Sequence, residues 1–231
     1  MAENADRCAV LTKNIFQLFA KFDDLFADLR VIIFNKDKII TFINQINVVY
    51  YPQVCISDPS CPIHLVGKTG QAVEISIHTP SPYICANCEQ ILPDWKQQQF
   101  LWVVVVLQQS QYPLEEMTIE TEQEKEKLRE KFMRFGCDVA FNLRDRGYLT
   151  DLIDPRTGYP LLSHSGLVPH DDTAVAQALL KYPAIQNKCH VLVHPQWGTA
   201  VYPSVMLSEA PPEIIESVTK AIAPMHGWIQ V

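Results

Sequence analysis

The chain has no excess of positive charge: 19 Lys and Arg stand against 26 Asp and Glu among 231 residues, a net charge of −7. A nucleic-acid binder needs basic patches to neutralise phosphates, so this balance argues against that class. No window of about eighteen apolar residues escapes a charge, which argues against a membrane-spanning helix. The first residues, Met1 to Arg7, lack a basic segment followed by an apolar run, so no secretory signal is expected. The seven cysteines lack the density of a secreted disulfide scaffold. A reducing cytoplasm with free or metal-bound thiols is the expectation. Internal repeats and low-complexity tracts are also missing.

Several chemical signatures are absent too. There is no G-x-G-x-x-G for a dinucleotide and no G-x-S-x-G nucleophile elbow. Gly67-Lys68-Thr69 looks like the end of a phosphate loop. The position where such a loop needs its first glycine is Pro62, which offers no amide to a phosphate.

What is present is core. Hydrophobic residues make up 48% of the chain and charged ones 19%, enough for a sizeable core, and the length suits one large domain, or one domain with an appendage. Leu11, Ile15, Leu18, Phe22, Leu25 and Leu29 repeat with helical spacing, and residues 1–45 read as an N-terminal helical extension. Residues 46–231 read as a single α+β domain. Val73, Ile75 and Ile77 alternate with Glu74, Ser76 and His78, predicting a half-buried strand over 72–78. A short helix is expected over 85–92. Residues 100–107 carry four successive valines and predict a strand buried on both faces.

Thr121-x-x-Glu124 reads as a capping box opening a helix over 122–146, with Leu128, Phe132, Phe135, Val139 and Leu143 inward and Gly147 ending it. A second helix is expected over 172–182. Residues 189–194 and 200–207 read as two strands joined by Pro195-Gln-Trp-Gly198 in a hairpin. Pro211-Pro212 opens a last helix on Ile214, Ile215, Val218 and Ile222. Helices and strands mix without a strict βαβ repeat, which favours α+β.

Cys61-x-x-His64 and Cys85-x-x-Cys88 have the spacing and softness to close a tetrahedral zinc site, with Cys55 as a spare ligand. The alternative is that they are unconnected small residues, with Cys85 and Cys88 a redox dithiol. His190 and His194 would share a strand face, as ligands or a base, although solvated or structural histidines are commoner. Taken alone, Cys189 fits a buried apolar thiol. Trp197 is either a binding anchor or a lid over the core. Asp151, Asp154 and Arg156 most often mean a hydrogen-bonded turn, though paired carboxylates can do acid–base work.

Two segments go further. Gly147-Tyr-Leu-Thr-Asp-Leu-Ile-Asp-Pro-Arg-Thr-Gly158 and Cys189-His-Val-Leu-Val-His-Pro-Gln-Trp-Gly-Thr199 together closely resemble the methylmalonic aciduria and homocystinuria type D protein family. The resemblance is good over about 122–222, weaker over 72–108 and absent before about residue 45. It implies a nitroreductase-like α+β fold, a mixed sheet flanked by helices, without flavin chemistry. It also implies a non-enzymatic, cytoplasmic adaptor that docks on a cobalamin-carrying type C-like chaperone and serves cobalamin-dependent enzymes. No tightly held cofactor is expected, with cobalamin reaching the chain through the partner.

The family has a cysteine pair where this chain has Lys188-Cys189, and a thiolate of that pair can coordinate the partner's cobalt. Cys189 is therefore the candidate cobalt ligand, and Lys188 could favour its thiolate by charge proximity. Asp151, Asp154 and Trp197 are family-motif positions expected to fix loop geometry beside a docking surface. Two other classes remain open at this stage: a flavin-dependent oxidoreductase on the same scaffold, and a zinc-stabilised interaction module.

Overall fold

The computed structural model describes residues 62–95, 101–186 and 190–231, all within one compact unit, Val54–Val231. The expected extension over 1–45, and the boundary after it, lie outside the described residues.

The first two strands, β1 (Ile63–Gly67) and β2 (Ala72–His78), form a hairpin. Its turn is the segment that looked like a phosphate loop. The Gly67 and Gly70 amides donate to the Gln71 and Gly67 carbonyls, and Gly70 sits at φ +81°. Backbone amides there close a turn.

Helix α1 (Pro82–Ile91) is capped by Ser81, and a short 3-10 turn (Pro93–Trp95) follows. Strand β3 (Trp102–Gln109) leads to the long helix α2 (Ile119–Asp145), then β4 (Thr150–Leu152) and α3 (Asp172–Leu180). The remaining elements are β5 (Ala184–Gln186), β6 (His190–Leu192), β7 (Val201–Ser208), α4 (Pro212–Ile222), a 3-10 turn (Ala223–His226) and β8 (Trp228–Gln230).

Six strands make one sheet in the order β4-β7-β3-β2-β1-β8, and β5 pairs with β6 separately. Every pairing between described strands is antiparallel, narrower than the mixed sheet the sequence suggested. The α+β class stands: an antiparallel sheet with helices on both faces.

Alternation along the central strands builds two cores. Val73, Ile75, Ile77, Val104 and Val106 face one way and bury Phe132, Phe135 and Val139 of α2 with Ile215 and Val218 of α4. Val103, Val105 and Leu107 face the other way, onto Ile84 and Ile91 of α1 and Val175 of α3. The valine run is buried on both sides, as its composition predicted. Each large side chain so buried contributes roughly 1.5–3 kcal/mol relative to exposure. Trp228 of β8 closes the first core, its ring 4.7 Å from that of Phe135.

Two local expectations are corrected. Helix α2 begins one turn earlier than Thr121: Thr118 is the cap, and Thr121 occupies the third helical position. The Thr121 amide donates to Thr118 Oγ1 and the Thr118 amide to Thr121 Oγ1. Glu124 is buried instead, accepting from the Gln111 amide and Gln71 Nε2. The second correction concerns residues 189–207. The turn at 195–198 forms, with His194 and Gly198 exchanging amide–carbonyl bonds of 2.7 and 2.9 Å, but the strands on either side diverge. Strand β6 pairs with β5, whereas β7 enters the main sheet between β3 and β4. Leu192, the last residue of β6, is buried in the second core.

Candidate functional site

The segment after α2 is organised by two carboxylates. Asp151, on β4, is buried, and its Oδ1 accepts the amides of Leu152, Leu161 and Leu162 at 2.8–3.0 Å. One carboxylate oxygen thereby fixes both ends of the loop between them. Arg144 lies 3.8 Å from Oδ2, and its Nε donates to the Thr150 carbonyl. Asp154, just beyond β4, takes a two-pronged grip from Arg129 of α2 and accepts the Arg156 amide. The bonded guanidinium holds the Asp154 carboxyl below its usual range. Thr157 and Gly158 donate to the Asp154 carbonyl, closing the turn. These carboxylates are bound up in loop geometry.

Across the sheet, His194 collects another set of contacts. Its Nδ1 accepts the Gln196 and Trp197 amides, so the ring proton sits on Nε2 and is donated to Glu74 Oε2 at 3.1 Å. Trp197 stacks on the imidazole at 3.9 Å and packs on the second core, while Tyr182 meets the ring edge-on. Trp197 is thus the lid of the two readings considered. The two histidines do not share a strand face: β6 stops at Leu192, and His190 turns toward Asp171 at 3.7 Å.

Lys188 and Cys189 lie outside the described residues, one peptide bond before His190. Cys61 lies outside them as well. Among the described residues no three His, Cys, Asp or Glu side chains gather to hold a metal. His64 approaches Glu74 at 3.5 Å, and Cys85 and Cys88 are free thiols on α1. Burial pushes both thiols up, and for Cys88 the neighbouring Cys85 and Glu89 push further in the same direction.

Sequence reasoning passed over one cluster entirely. A cavity of about 300 Å³ opens between α2, the turn at 155–158 and the start of α3, with His170, Asp172 and Tyr202 among its walls. Nothing in the spacing of these residues announces it, because the loop after β4 brings them together.

The family model for methylmalonic aciduria and homocystinuria type D protein matches residues 67–220. The chain belongs to that family. The rat protein named cobalamin trafficking protein CblD is 26% identical over 135 residues, covering 56% of this chain and 44% of its own length. The human protein of the same name is 25% identical over 147 residues, covering 61% of this chain and 48% of its own. The chain therefore spans somewhat under half the length of the curated relatives it matches. In this type D family member, both motif segments lie inside the matched region. Their polar side chains are the ones that tie β4 to α2 and the 194–198 turn to β2.

Proposed function

We propose that this chain is a non-enzymatic cobalamin-trafficking adaptor that works by docking on a cobalamin-carrying chaperone. The observation that carries the reading is the family match over 67–220, which relates the domain to proteins named for cobalamin trafficking. It fits the engagement of the motif side chains. Asp151, Asp154 and Trp197 are occupied in holding loops, and rigid loops serve a docking surface.

In this reading Cys189 is the thiolate that meets cobalt presented by the partner, a soft donor suited to that metal. The scaffold is a nitroreductase-like one put to trafficking. Among the described residues no helix is long and apolar enough to cross a membrane. A reducing cytoplasm is the setting in which Cys85, Cys88 and Cys137 persist as free thiols.

The test is spectroscopic. Cobalamin is mixed with the full chain, with and without a type C-like chaperone, and the visible bands are recorded. A shift that needs the chaperone and vanishes in Cys189→Ser is expected. A shift that survives the substitution overturns the ligand role, and indifference to cobalamin under both conditions overturns the adaptor reading.

A further inference from the structure

Helix α1 carries the two thiols of Cys85-x-x-Cys88 three residues apart. Side chains at that spacing share one side of a helix, with Cβ atoms about 5–6 Å apart. Both thiols are free and only partly buried, so a small solute can reach them. They also act on each other: Cys85 and the Glu89 carboxylate both oppose ionisation of Cys88. A cation set between the sulfurs would turn that repulsion into attraction.

The helix holds the spacing. The Cys85 amide donates to the Ser81 carbonyl at 3.0 Å, and the Cys88 carbonyl accepts the Leu92 amide at 2.7 Å. Both residues thus belong to the hydrogen bonds that open and close α1. Ile84, Ile91 and Leu92 pin the same helix into the second core. A disulfide needs Cβ atoms about 3.5–4.5 Å apart, so closing one here would draw the helix in against both anchors. A metal bridge makes no such demand. Two metal–thiolate bonds of about 2.3 Å set the sulfurs as much as about 4.6 Å apart, a span that side chains of helical spacing can reach.

The kind of ion follows from the donor set. Among the described residues no third His, Cys, Asp or Glu joins the pair to hold a metal. Zinc takes four ligands in structural sites, and calcium and magnesium take oxygen. Cu(I) is soft, favours thiolate sulfur and is satisfied by two such donors in line.

We propose that Cys85 and Cys88 bind one Cu(I) ion as a two-thiolate bridge along the side of α1. Each sulfur releases its proton to solvent as it bonds to the ion, and neither sulfur nor copper changes oxidation state. At rest burial keeps both thiols protonated, so the ion itself draws out the thiolates. The site uses neither motif segment and not Cys189, so it stands apart from the trafficking reading.

The experiment titrates Cu(I) into the reduced full chain without oxygen, against bicinchoninate as a competing chelator. Alkylation followed by mass spectrometry then maps which of the seven cysteines the ion protects. One ion per chain, with protection confined to Cys85 and Cys88, is expected. Cys85→Ser and Cys88→Ser should each weaken binding by about a hundredfold or more, beyond what loss of a supporting contact costs. The double variant should bind no worse than either, because a bridge fails when one end is lost. Cys137→Ser should bind as the parent does. Copper-free Tm should be the same in all four variants, which separates lost ligation from lost folding. Zn(II) run in parallel should not displace the copper, and diamide should leave Cys85 and Cys88 unlinked. Protection centred on other cysteines, copper retained in either single variant, zinc held more tightly with Cys61 protected, or a ready Cys85–Cys88 disulfide overturns the site. None of these readings depends on cobalamin or a chaperone.

Discussion

Arg129 and Asp154 meet through two parallel hydrogen bonds, Nε to Oδ1 at 2.7 Å and Nη2 to Oδ2 at 2.8 Å. The pair joins the middle of α2 to the turn leaving β4, and both side chains are mostly shielded from solvent. Arg129→Met should lower stability by about 2 kcal/mol, the scale of charge-assisted bonds. Asp154 has its carboxyl depressed by Arg129, so its contribution is complete above the normal carboxylate range and lost as pH falls through the lowered value. A double-mutant cycle with Asp154→Asn, followed by urea unfolding, should return a coupling of at least about 1 kcal/mol. A coupling near zero would show that the turn holds without the pair.

His170 predicts a second pH dependence, at higher pH. The unfolded chain takes up this proton near 6.5, whereas the buried ring waits until about 4. Between those values the unfolded state binds more protons, so stability falls as pH falls, by up to about 3 kcal/mol. His170→Phe should flatten this part of the stability curve. Asp172 acts in the opposite sense: its raised carboxyl costs stability as pH rises through and above the normal carboxylate range. Asp172→Asn should therefore stabilise the protein at pH 7, and a clear loss there would contradict the burial argument.

Gly158 is a point of close approach. It sits at φ +73°, and an added Cβ would stand 2.5 Å from the His170 carbonyl. Gly158→Ala should cost more than the roughly 1–2 kcal/mol of a left-handed residue, because the backbone of the 170 loop must also move. A midpoint in denaturant within error of the parent would contradict this.

Glu74 is the sole acceptor of the His194 Nε2 proton among the described residues. Glu74→Ala leaves that buried donor unmatched and should cost about 1–3 kcal/mol, while Glu74→Gln, which keeps an acceptor, should cost less. Equal losses in the two variants would assign the effect to side-chain packing.

Cys85 and Cys88 should alkylate slowly at pH 7.5, since burial raises both thiols and leaves less thiolate than in a free cysteine. Native protein is expected to react at least about tenfold more slowly than the same chain in urea. Comparable rates would show that the face of α1 carrying them is open.

What the sequence made legible was whatever burial repeats at short range. The alternation of Val73, Ile75 and Ile77 and the spacing of Leu128, Phe132, Phe135 and Val139 gave β2 and α2, because each element must bury one face regardless of its partners. The start of α2 was harder: Thr118 and Thr121 are both capping residues, and the choice rests on Glu124 being drawn away to Gln71 and Gln111. The separation of β6 from β7 was hidden because pairing is a long-range choice, made by Ala184–Gln186 and by β3. Arg129 with Asp154, and His170 and Asp172 with Tyr202, are contacts of tertiary structure that no local pattern encodes. Cys189 became a candidate through the family resemblance.

Trp228 has a practical consequence for anyone trimming the chain. It lies beyond the last residue of the family match, yet it is 4% exposed, packs at a tilt against Phe135 and sits on the strand paired with β1. A fragment cut at residue 220 would uncover that aromatic contact and bare the hydrogen-bonding edge of β1, inviting strand-to-strand aggregation. Expression boundaries for this domain should be drawn by its packing, with residues 63–66 and 221–231 retained.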